Sequence, residues 1–381
     1  MFNKVLVAKS IANMRFEPVL TYGGSVTRMA YDVSAVRVRT TVRGTASTID
    51  AITDSTESLT INLEKEAVFH ISDGEVKQTG PLNPGEVIGG QIAIKVATDL
   101  DARVLAEVLN AGQTFDEGDL TTVASTAVGI TLSATSVPQM VTRMPAKLKA
   151  NNQVLSNMAF VVDPYMVADL EQYLLGKQFD VVNSIWKNGY SGAISTAEVY
   201  VSNNLTFTAA LTATGQITTA DFVTIGGVVF TGITSSVGAT AGNFLIETDA
   251  TTSLTNLANL INDPTTTSAK QVALSAANQA IVMDTLKASA SATGGVLSLV
   301  CTGAGRVTLA EATVSCTWSK NWLHAYYGKK GAIDLVVQDI SPVDMRETST
   351  MRGTNIFSSY LAGIKTFADG AKKFLDVRIV V

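Results

Sequence analysis

The feature that most constrains the fold is an apolar row that recurs every four residues. Its members are Ile88, Ile92, Val96, Leu100, Val104 and Val108. This spacing places them along one side of an α-helix. Pro84 and Glu86 suit its first turn, where proline is tolerated and glutamate can form a reciprocal cap with Asn83. Gly112 suits its end. At 1.5 Å per residue the predicted helix is about 40 Å long, so other elements have to cover it along its length.

Upstream of this helix, residues 31–73 contain two stretches with the period-two alternation of β-strands. The stretches are YDVSAVRVRTTV, which begins at Tyr31, and ESLTINLEKEAVFHIS, which begins at Glu57. The polar segment RGTASTIDAITDST joins them, so we predict one long two-stranded β-ribbon. Because an isolated ribbon is only marginally stable in water, we expect it to pack on a neighbouring subunit.

The charged side chains of the predicted ribbon are the candidate contact residues. We predict that five of them form contacts between subunits: Arg37, Arg39, Arg43, Glu64 and Glu66. A charged ribbon face can form salt bridges across a subunit boundary and so determine how copies pair. Solvated surface charge and a groove for nucleic acid are the alternatives for the basic residues, and the groove is the less favoured of the two.

Composition changes abruptly between Thr206 and Trp318. This stretch is rich in Thr, Ala, Gly and Ser, and it contains only nine charged residues. It includes a predicted hairpin around Gly226 and Gly227 and an amphipathic helix in TSLTNLANLINDP. Its roughly 110 residues suffice for a core. We therefore predict that 206–318 is a β-rich domain inserted between two strands of a host domain, as exposed loop tips tolerate.

The sequence on either side of this stretch predicts a host that mixes helices and strands. Before it, a helix is predicted over about 137–150, a buried strand in MAFVVDP and a short helix in YMVADLEQYLLG. After it, KKGAIDLVVQDI and KKFLDVRIVV read as strands, and IFSSYLAGIKTFA reads as a strand or a short helix. Together these elements predict an α+β fold.

Composition excludes several classes of protein. The 381 residues are 46% apolar and 16% charged, which is enough for a large core. A net charge of -5 argues against a duplex-binding protein with a basic stripe. The sequence contains no run of about 18 apolar residues, so no membrane span is predicted. Charged residues interrupt the apolar part of the first twenty residues, which therefore match a signal peptide poorly. The two cysteines, Cys301 and Cys316, cannot form a disulfide framework, and we expect buried free thiols.

The chain shows no pattern of residues typical of an active site. A hydrolytic triad needs a histidine beside a nucleophile and a carboxylate. The only histidines are His70 and His324, and we interpret both as packed or interfacial residues. No cysteine–histidine cluster has metal-ligand spacing, and no GxxxxGK[ST] loop occurs. We therefore predict no catalytic, cofactor-binding or metal-binding residue, and no enzymatic activity.

The order of these elements resembles that of the tailed-phage major capsid proteins. These have the HK97-like fold, with an N-terminal arm, an extended β-ribbon loop, a spine helix in a peripheral domain, and an axial domain. The resemblance is carried by NPGEVIGGQIAIKVATDLDARVLAEVLNAG as the spine helix, NMAFVVDPYMVADLEQYL as the first core strand and helix, and FADGAKKFLDVRIVV as the closing strand. An extra domain within the axial domain resembles the podovirus coat type.

The resemblance implies an α+β fold with five parts. These are an N-terminal arm at 1–30, the extended ribbon at 31–80, a peripheral domain at 81–130 and 366–381, an axial domain at 131–205 and 319–365, and the insertion domain at 206–318.

The resemblance also implies a function in assembly. Copies of the chain would form pentamers and hexamers of an icosahedral shell that encloses phage double-stranded DNA without sequence-specific binding. The family typically assembles with a scaffolding and a portal protein. Because the region before the ribbon is short, we expect a separate scaffolding protein. We expect the protein to assemble in the host bacterial cytoplasm and to reside in the virion. We expect no cofactor and no membrane partner.

Three alternatives remain open at the level of the sequence. An encapsulin-type nanocompartment shell protein has a similar architecture but is usually shorter and lacks a hundred-residue interruption. A phage tail or surface protein would carry β-modules in tandem, whereas here one module lies inside a host domain. An enzyme with a β-rich accessory domain is disfavoured because no catalytic residues were found.

Overall fold

In the computed structural model the chain forms two compact units. Unit 1 comprises Met1–Ile11, Ala97–Lys330 and Lys372–Val381, and unit 2 comprises Ala12–Val96 and Gly331–Ala371. The structure describes residues 7–16, 23–32, 36–40, 43–44, 46, 49–50, 52–78, 84–122, 125–175, 190–194, 197–219, 221–234, 236–312, 315–347 and 352–381.

The described residues form both strands and helices. The strands are β1 Ala12–Asn13, β2 Ser25–Asp32, β3 Thr53–Thr60, β4 Leu63–Ser72, β5 Thr114–Phe115, β6 Met158–Val162, β7 Tyr190–Ile194, β8 Ala197–Val201, β9 Thr206–Ala213, β10 Phe222–Ile225, β11 Val228–Ile233, β12 Asn243–Leu245, β13 Ala288–Thr293, β14 Val296–Cys301, β15 Leu309–Ala312, β16 Cys316–Lys329, β17 Ile333–Glu347, β18 Gly353–Lys365 and β19 Phe374–Val380. The helices are α1 Ala8–Ile11, α2 Asp73–Gln78, α3 Pro84–Ala106, α4 Glu117–Thr121, α5 Ser136–Ala150, α6 Pro164–Leu175, α7 Ala250–Asn262, α8 Ala276–Ala280 and α9 Ala368–Ala371.

Unit 1 is built on a nine-stranded sheet. Its order is β13-β14-β9-β16-β6-β8-β7, with β19 paired to β16 and β5 paired to β19. The long strand β16 connects the parts, because it pairs in turn with β9, β6 and β19. α5 and α6 contribute Met140, Met144 and Met166 to a buried cluster in which the rings of Phe160 and Tyr327 meet edge to face. The predicted helix over 137–150 and the predicted buried strand MAFVVDP are confirmed.

Residues 206–318 have a hydrophobic cluster of their own. It includes side chains from β9 and β14 of the large sheet, from the four-stranded sheet β12-β11-β10-β15, and from α7. The predicted hairpin is present as β10 and β11. Gly226 and Gly227 form its turn with φ of +57° and +85°, a conformation that glycine adopts without strain. The predicted helix is α7, whose buried apolar residues include the four predicted ones, Leu254, Leu257, Leu260 and Ile261.

The predicted boundary of the inserted domain after residue 318 falls inside β16. The first residues of this strand pair with β9 and its later residues pair with β6 and β19, so one sheet continues through the boundary. Two ion pairs also join 206–318 to the rest of unit 1. Lys287 Nζ lies 2.5 Å from Asp99 Oδ1, and Arg306 Nε lies 2.6 Å from Asp163 Oδ2. The composition change therefore marks a change of surface chemistry and no break in the sheet, and the division into domains stays a prediction.

The helix predicted from the apolar row is α3. It begins at Pro84, as the sequence predicts, and continues to Ala106. A 3₁₀ turn, Glu107–Asn110, then tightens the chain before Gly112, so the last predicted member of the row, Val108, lies in that turn. Ile92, Leu100, Val104 and Val108 are buried. The predicted cap Asn83 lies outside the described residues.

Unit 2 contains a four-stranded sheet and a two-stranded ribbon. The sheet order is β1-β17-β18-β4, and the ribbon is the antiparallel pair β2 and β3. IFSSYLAGIKTFA forms most of the strand β18, which settles the choice between strand and helix for this segment. The buried clusters of this unit are small, and one of them consists of Leu59, Val336 and Phe367.

The predicted ribbon requires a correction. Its first strand is β2, Ser25–Asp32, and residues 36–40 of the predicted strand are not in a strand. The second predicted strand divides between β3, which pairs with β2, and β4, which pairs with β18. The division has a physical reason, because the two halves bury different anchors. Leu59 of β3 packs with Val336 and Phe367, whereas Ile71 of β4 packs with Ile92 and Ile356.

Candidate assembly surfaces

The last strand of the unit 2 sheet has an open edge. β4 pairs with β18 on one side, and among the described residues no strand pairs with its other side. Its apolar side chains are also incompletely covered, because Val68 is 48% and Phe69 is 43% exposed. These neighbours point to opposite faces of the sheet. An exposed edge with apolar side chains on both faces is a template for pairing with another chain.

The loop between β2 and β3 adds a second uncovered apolar surface. Val38 is 104% and Ile49 is 91% exposed, and Val36 and Ile52 are also exposed. Single exposed apolar residues are ordinary, but four within one loop make this loop a candidate interaction surface.

The structure places the five predicted contact residues in two groups. Arg37, Arg39 and Arg43 belong to the loop that follows β2, and Glu64 and Glu66 belong to β4. All five are exposed. The structure therefore brings the two glutamates onto the open edge, and it leaves the proposed contacts between subunits a prediction.

One of the arginines has a partner within its own chain. Arg39 donates two hydrogen bonds to Asp50, from Nη1 to Oδ2 at 2.8 Å and from Nη2 to Oδ1 at 2.6 Å. The backbone N–H of Arg37 donates to the same carboxylate at 2.9 Å. The hydrogen bonds from the Arg39 side chain lower the pKa of Asp50 most, and the hydrogen bond from the Arg37 backbone N–H lowers it further. Sequence reasoning missed Asp50, and the available signal was an acidic residue in the polar segment that follows the arginine-rich stretch.

His324 lies in a buried polar network of three strands. Its Nε2 lies 2.7 Å from Thr208 Oγ1, and its Nδ1 lies 2.6 Å from Asp376 Oδ1. Arg378 Nε donates to the other oxygen of Asp376 at 3.1 Å. A hydroxyl, an imidazole and a carboxylate in this order match the connectivity of a hydrolytic triad. The imidazole is only 2% exposed, however, so the network joins β9, β16 and β19 and is closed to a substrate.

The other groups capable of chemistry are dispersed. His70 Nδ1 lies 2.7 Å from Asn355 Oδ1, across the β4–β18 pair. The predicted free thiols are confirmed, and burial raises the pKa of Cys301 to about 12 and that of Cys316 to about 11. Within the described ranges, no three histidine, cysteine or acidic side chains lie close enough to hold a metal ion. Likewise, none of the helices described here is long and apolar enough to span a membrane.

A groove of about 550 Å³ lies beside α4 and the start of α5. Its lining is rich in hydroxyls and holds one carboxylate, from Glu117: Glu117, Gly118, Leu120, Thr121, Thr122, Thr126, Val128, Thr131, Ser133, Thr135, Ser136 and Gln139. Among the described lining residues, Glu117 is the one titratable group, and no imidazole, thiol or amine accompanies it.

Comparison with solved structures identifies the fold. The capsid structure of cyanophage P-SCSP1u aligns over 99% of this chain and 89% of its own chain, with a TM-score of 0.53 and 10% identity. A structure of Mycobacterium phage Ogopogo aligns over 99% of this chain and 92% of its own, with a TM-score of 0.52 and 10% identity. No protein-family model and no curated protein matches the sequence.

These alignments cover essentially the whole chain, including residues 206–318. The predicted fold class is therefore confirmed: the chain has the α+β, HK97-like fold of phage capsid structures. At 10% identity the likeness extends to the fold, and what the chain does has to be argued from its own surfaces.

Proposed function

We propose that this chain is the major capsid protein of a tailed bacteriophage, which assembles with copies of itself into an icosahedral shell. The role is structural and uses no catalytic residue. The shell would enclose double-stranded DNA without reading its sequence, and the chain would reside in the virion after assembly in the host bacterial cytoplasm. A capsid fold over 99% of the chain supports this proposal.

The observation that carries the proposal is an edge strand without a strand partner among the described residues, together with exposed apolar side chains, in unit 2. Among the described residues no strand pairs with the outer edge of β4, and its side chains Val68 and Phe69 are nearly half exposed. The loop between β2 and β3 exposes Val38 and Ile49 almost completely. The charges on β4, Glu64, Lys65 and Glu66, lie in its first half, whereas its second half, Ala67 to Ser72, has no Asp, Glu, Lys, Arg or proline of the kind that protects such an edge in a monomeric protein. A protein that acts in many copies can leave such edges for its neighbours, and contacts that are weak singly become strong when each subunit repeats them.

The charge of the chain fits this role. A net charge of -5 gives no electrostatic basis for tight DNA binding, which suits a shell that encloses DNA without gripping it. Exposed Glu64 and Glu66 on β4, and exposed Arg37 and Arg43 in the loop, supply opposite charges for contacts between copies. Separate scaffolding and portal proteins are the partners that this assembly would use.

Negative-stain electron microscopy tests the proposal. The full chain is purified after expression alone and after expression with its neighbouring genes. Closed shells, or rings and tubes of capsomer size, are the expected result. Particles filled with one cargo protein would favour the nanocompartment alternative, since that shell encloses an enzyme. A uniform monomer under both conditions would overturn both shell functions.

A further inference from the structure

A side chain is hydrogen-bonded to the backbone in the middle of an edge strand in the 206–318 region. The amide of Asn262, the last residue of α7, makes two hydrogen bonds to the backbone of Ala290 in β13. Its Nδ2 donates to the Ala290 carbonyl at 2.7 Å, and its Oδ1 accepts the Ala290 N–H at 2.8 Å. The side-chain amide thus pairs with Ala290 as the peptide group of another strand would.

The position of this contact makes it effective. β13 is the first strand of the nine-stranded sheet, and among the described strands it pairs only with β14. In an antiparallel pair, the backbone groups of alternate residues point outward from the edge. Ala290 is the third of the six residues Ala288–Thr293, so its outward groups lie at the centre of the strand. A strand that approached this edge would find its central hydrogen bonds already taken.

The rest of β13 offers little resistance to such a strand. Its sequence, ASASAT, contains no charge and no proline, the two devices that usually protect an edge. The alanines face the hydrophobic cluster, and Ser289, Ser291 and Thr293 are exposed. Small alternating side chains also give no steric barrier to an identical strand. Without the contact from Asn262, β13 is therefore an uncharged edge with small side chains.

We propose that β13 is a latent docking edge for the β13 strand of a second copy, and that Asn262 keeps it closed. The occupant follows from the symmetry of the edge. An antiparallel pair centred on Ala290 would be two-fold symmetric, and the uncharged strand pairs with itself without charge repulsion. The inference goes beyond the proposed function and does not depend on it, because it concerns any two copies of the folded chain.

The experiment compares self-association of three full-length proteins. They are the wild type, Asn262→Ala, and the matched control Asn259→Ala, which changes an exposed asparagine on the same helix. Sedimentation velocity of unassembled protein is measured over a range of concentrations. We expect Asn262→Ala to associate at a roughly tenfold lower concentration than the wild type, because two hydrogen bonds no longer compete with strand pairing. Asn259→Ala should match the wild type.

A second variant separates edge pairing from simple loss of structure. Asn262→Ala combined with Ser291→Lys places a charge on the exposed side of β13, which opposes a like charge on the approaching copy. Association through β13 should return to the wild-type level in this double variant. The proposal is overturned if Asn262→Ala associates no more than the wild type, or if it associates equally with and without Ser291→Lys, since misfolding would then explain the association. Failure of the wild type to form shells would overturn the proposed function and leave this result intact.

Discussion

Two edge strands of this chain, β4 and β13, are treated in opposite ways. β4 in unit 2 has no strand partner on its outer edge within the part of the chain that the structure describes, and its Val68 and Phe69 are nearly half exposed. β13 in unit 1 has its central residue, Ala290, paired to the side chain of Asn262. The difference teaches that exposed backbone is not a general property of this fold. A chain that closes one edge strand and leaves another without a partner is consistent with the assembly surface proposed for β4.

A second edge strand within residues 206–318 is also hydrogen-bonded by a side chain. β15 is an edge strand of the four-stranded sheet, and the indole N–H of Trp318 donates to the Ala310 carbonyl of this strand at 3.2 Å. Trp318 is itself buried against the cluster of residues 206–318. A region with nine charged residues has few charges with which to protect its edges. Side chains that imitate a neighbouring strand perform this protection in their place.

The largest expected effect comes from a charge on the open edge. Val68→Asp should abolish shell formation, because a carboxylate at a surface buried between copies has to be desolvated without a partner. Val229→Asp is the matched control, since Val229 on β11 is 45% exposed and Val68 is 48% exposed. Electron microscopy and sedimentation of both proteins provide the measurement. Shells of normal yield from Val68→Asp would show that β4 is not an assembly edge.

The second effect is on folding stability and contrasts the same two regions. Leu257 of α7 is 1% exposed within the cluster of residues 206–318. Leu257→Ala should lower the free energy of unfolding by about 2–5 kcal/mol through lost burial and a cavity. Val68→Ala on the open edge should change it by less than about 0.5 kcal/mol in the unassembled chain. Urea unfolding measures both, and comparable losses would mean that β4 is already buried before assembly.

Much of the local structure could be predicted from the sequence, and the pairing of distant segments could not. The four-residue spacing up to Val108, the glycine pair of the β10–β11 hairpin and the stripe on α7 each depend on neighbours in the chain, so they predicted real elements. The partner of β4 is β18, nearly 300 residues away, and nothing in the alternation of 57–72 specifies it. Apolar and polar residues alternate in the same way before and after the break between β3 and β4, so the pattern does not reveal the break.

The candidate contacts show the same limit. Arginines on a strand-like stretch suggested contacts between copies, yet Arg39 satisfies its charge on Asp50 in its own loop. The pairing of Asn262 with Ala290 could not be found from the sequence either, because an asparagine at a helix end is most simply a cap. Both contacts depend on how a loop or helix folds back, which periodicity does not encode.

A smaller effect is expected from opening the second closed edge. Trp318→Phe keeps an aromatic ring but removes the N–H that binds the Ala310 carbonyl. We expect a loss of about 1 kcal/mol in the free energy of unfolding, the usual value of one hydrogen bond. Trp322→Phe is the control, because Trp322 is also buried in β16 but stacks under Arg378. If both variants lose the same stability, the N–H of Trp318 does not matter to the β15 edge.

The smallest effect is a difference in pH dependence between the two units. Asp101 on α3 is buried and accepts hydrogen bonds from the Ala8 N–H at 2.7 Å, Asn204 Nδ2 at 2.8 Å and Ser202 Oγ at 3.3 Å. Burial raises the pKa of this carboxyl, and the hydrogen bonds oppose the rise without cancelling it. In unit 2 the reverse holds, since Ser72 lowers the pKa of exposed Glu75, as Arg39 does for Asp50.

The raised pKa of Asp101 and the lowered pKa values of Asp50 and Glu75 change the stability of the fold with pH in opposite directions. Above the ordinary pKa of an aspartic acid, folded Asp101 holds more proton than the unfolded chain, so its contribution to stability falls as pH rises through its raised pKa. Asp50 and Glu75 contribute stability above their ordinary pKa values and lose it as pH falls. Asp101→Asn should therefore gain stability relative to the wild type as pH rises from 4 to 7, measured by urea unfolding. Asp50→Asn should lose stability relative to the wild type as pH rises to the ordinary pKa of 3.8 and keep that deficit at higher pH, because it lacks the ion pair with Arg39. Parallel curves for Asp101→Asn and the wild type would mean that Asp101 titrates as an exposed carboxylate does.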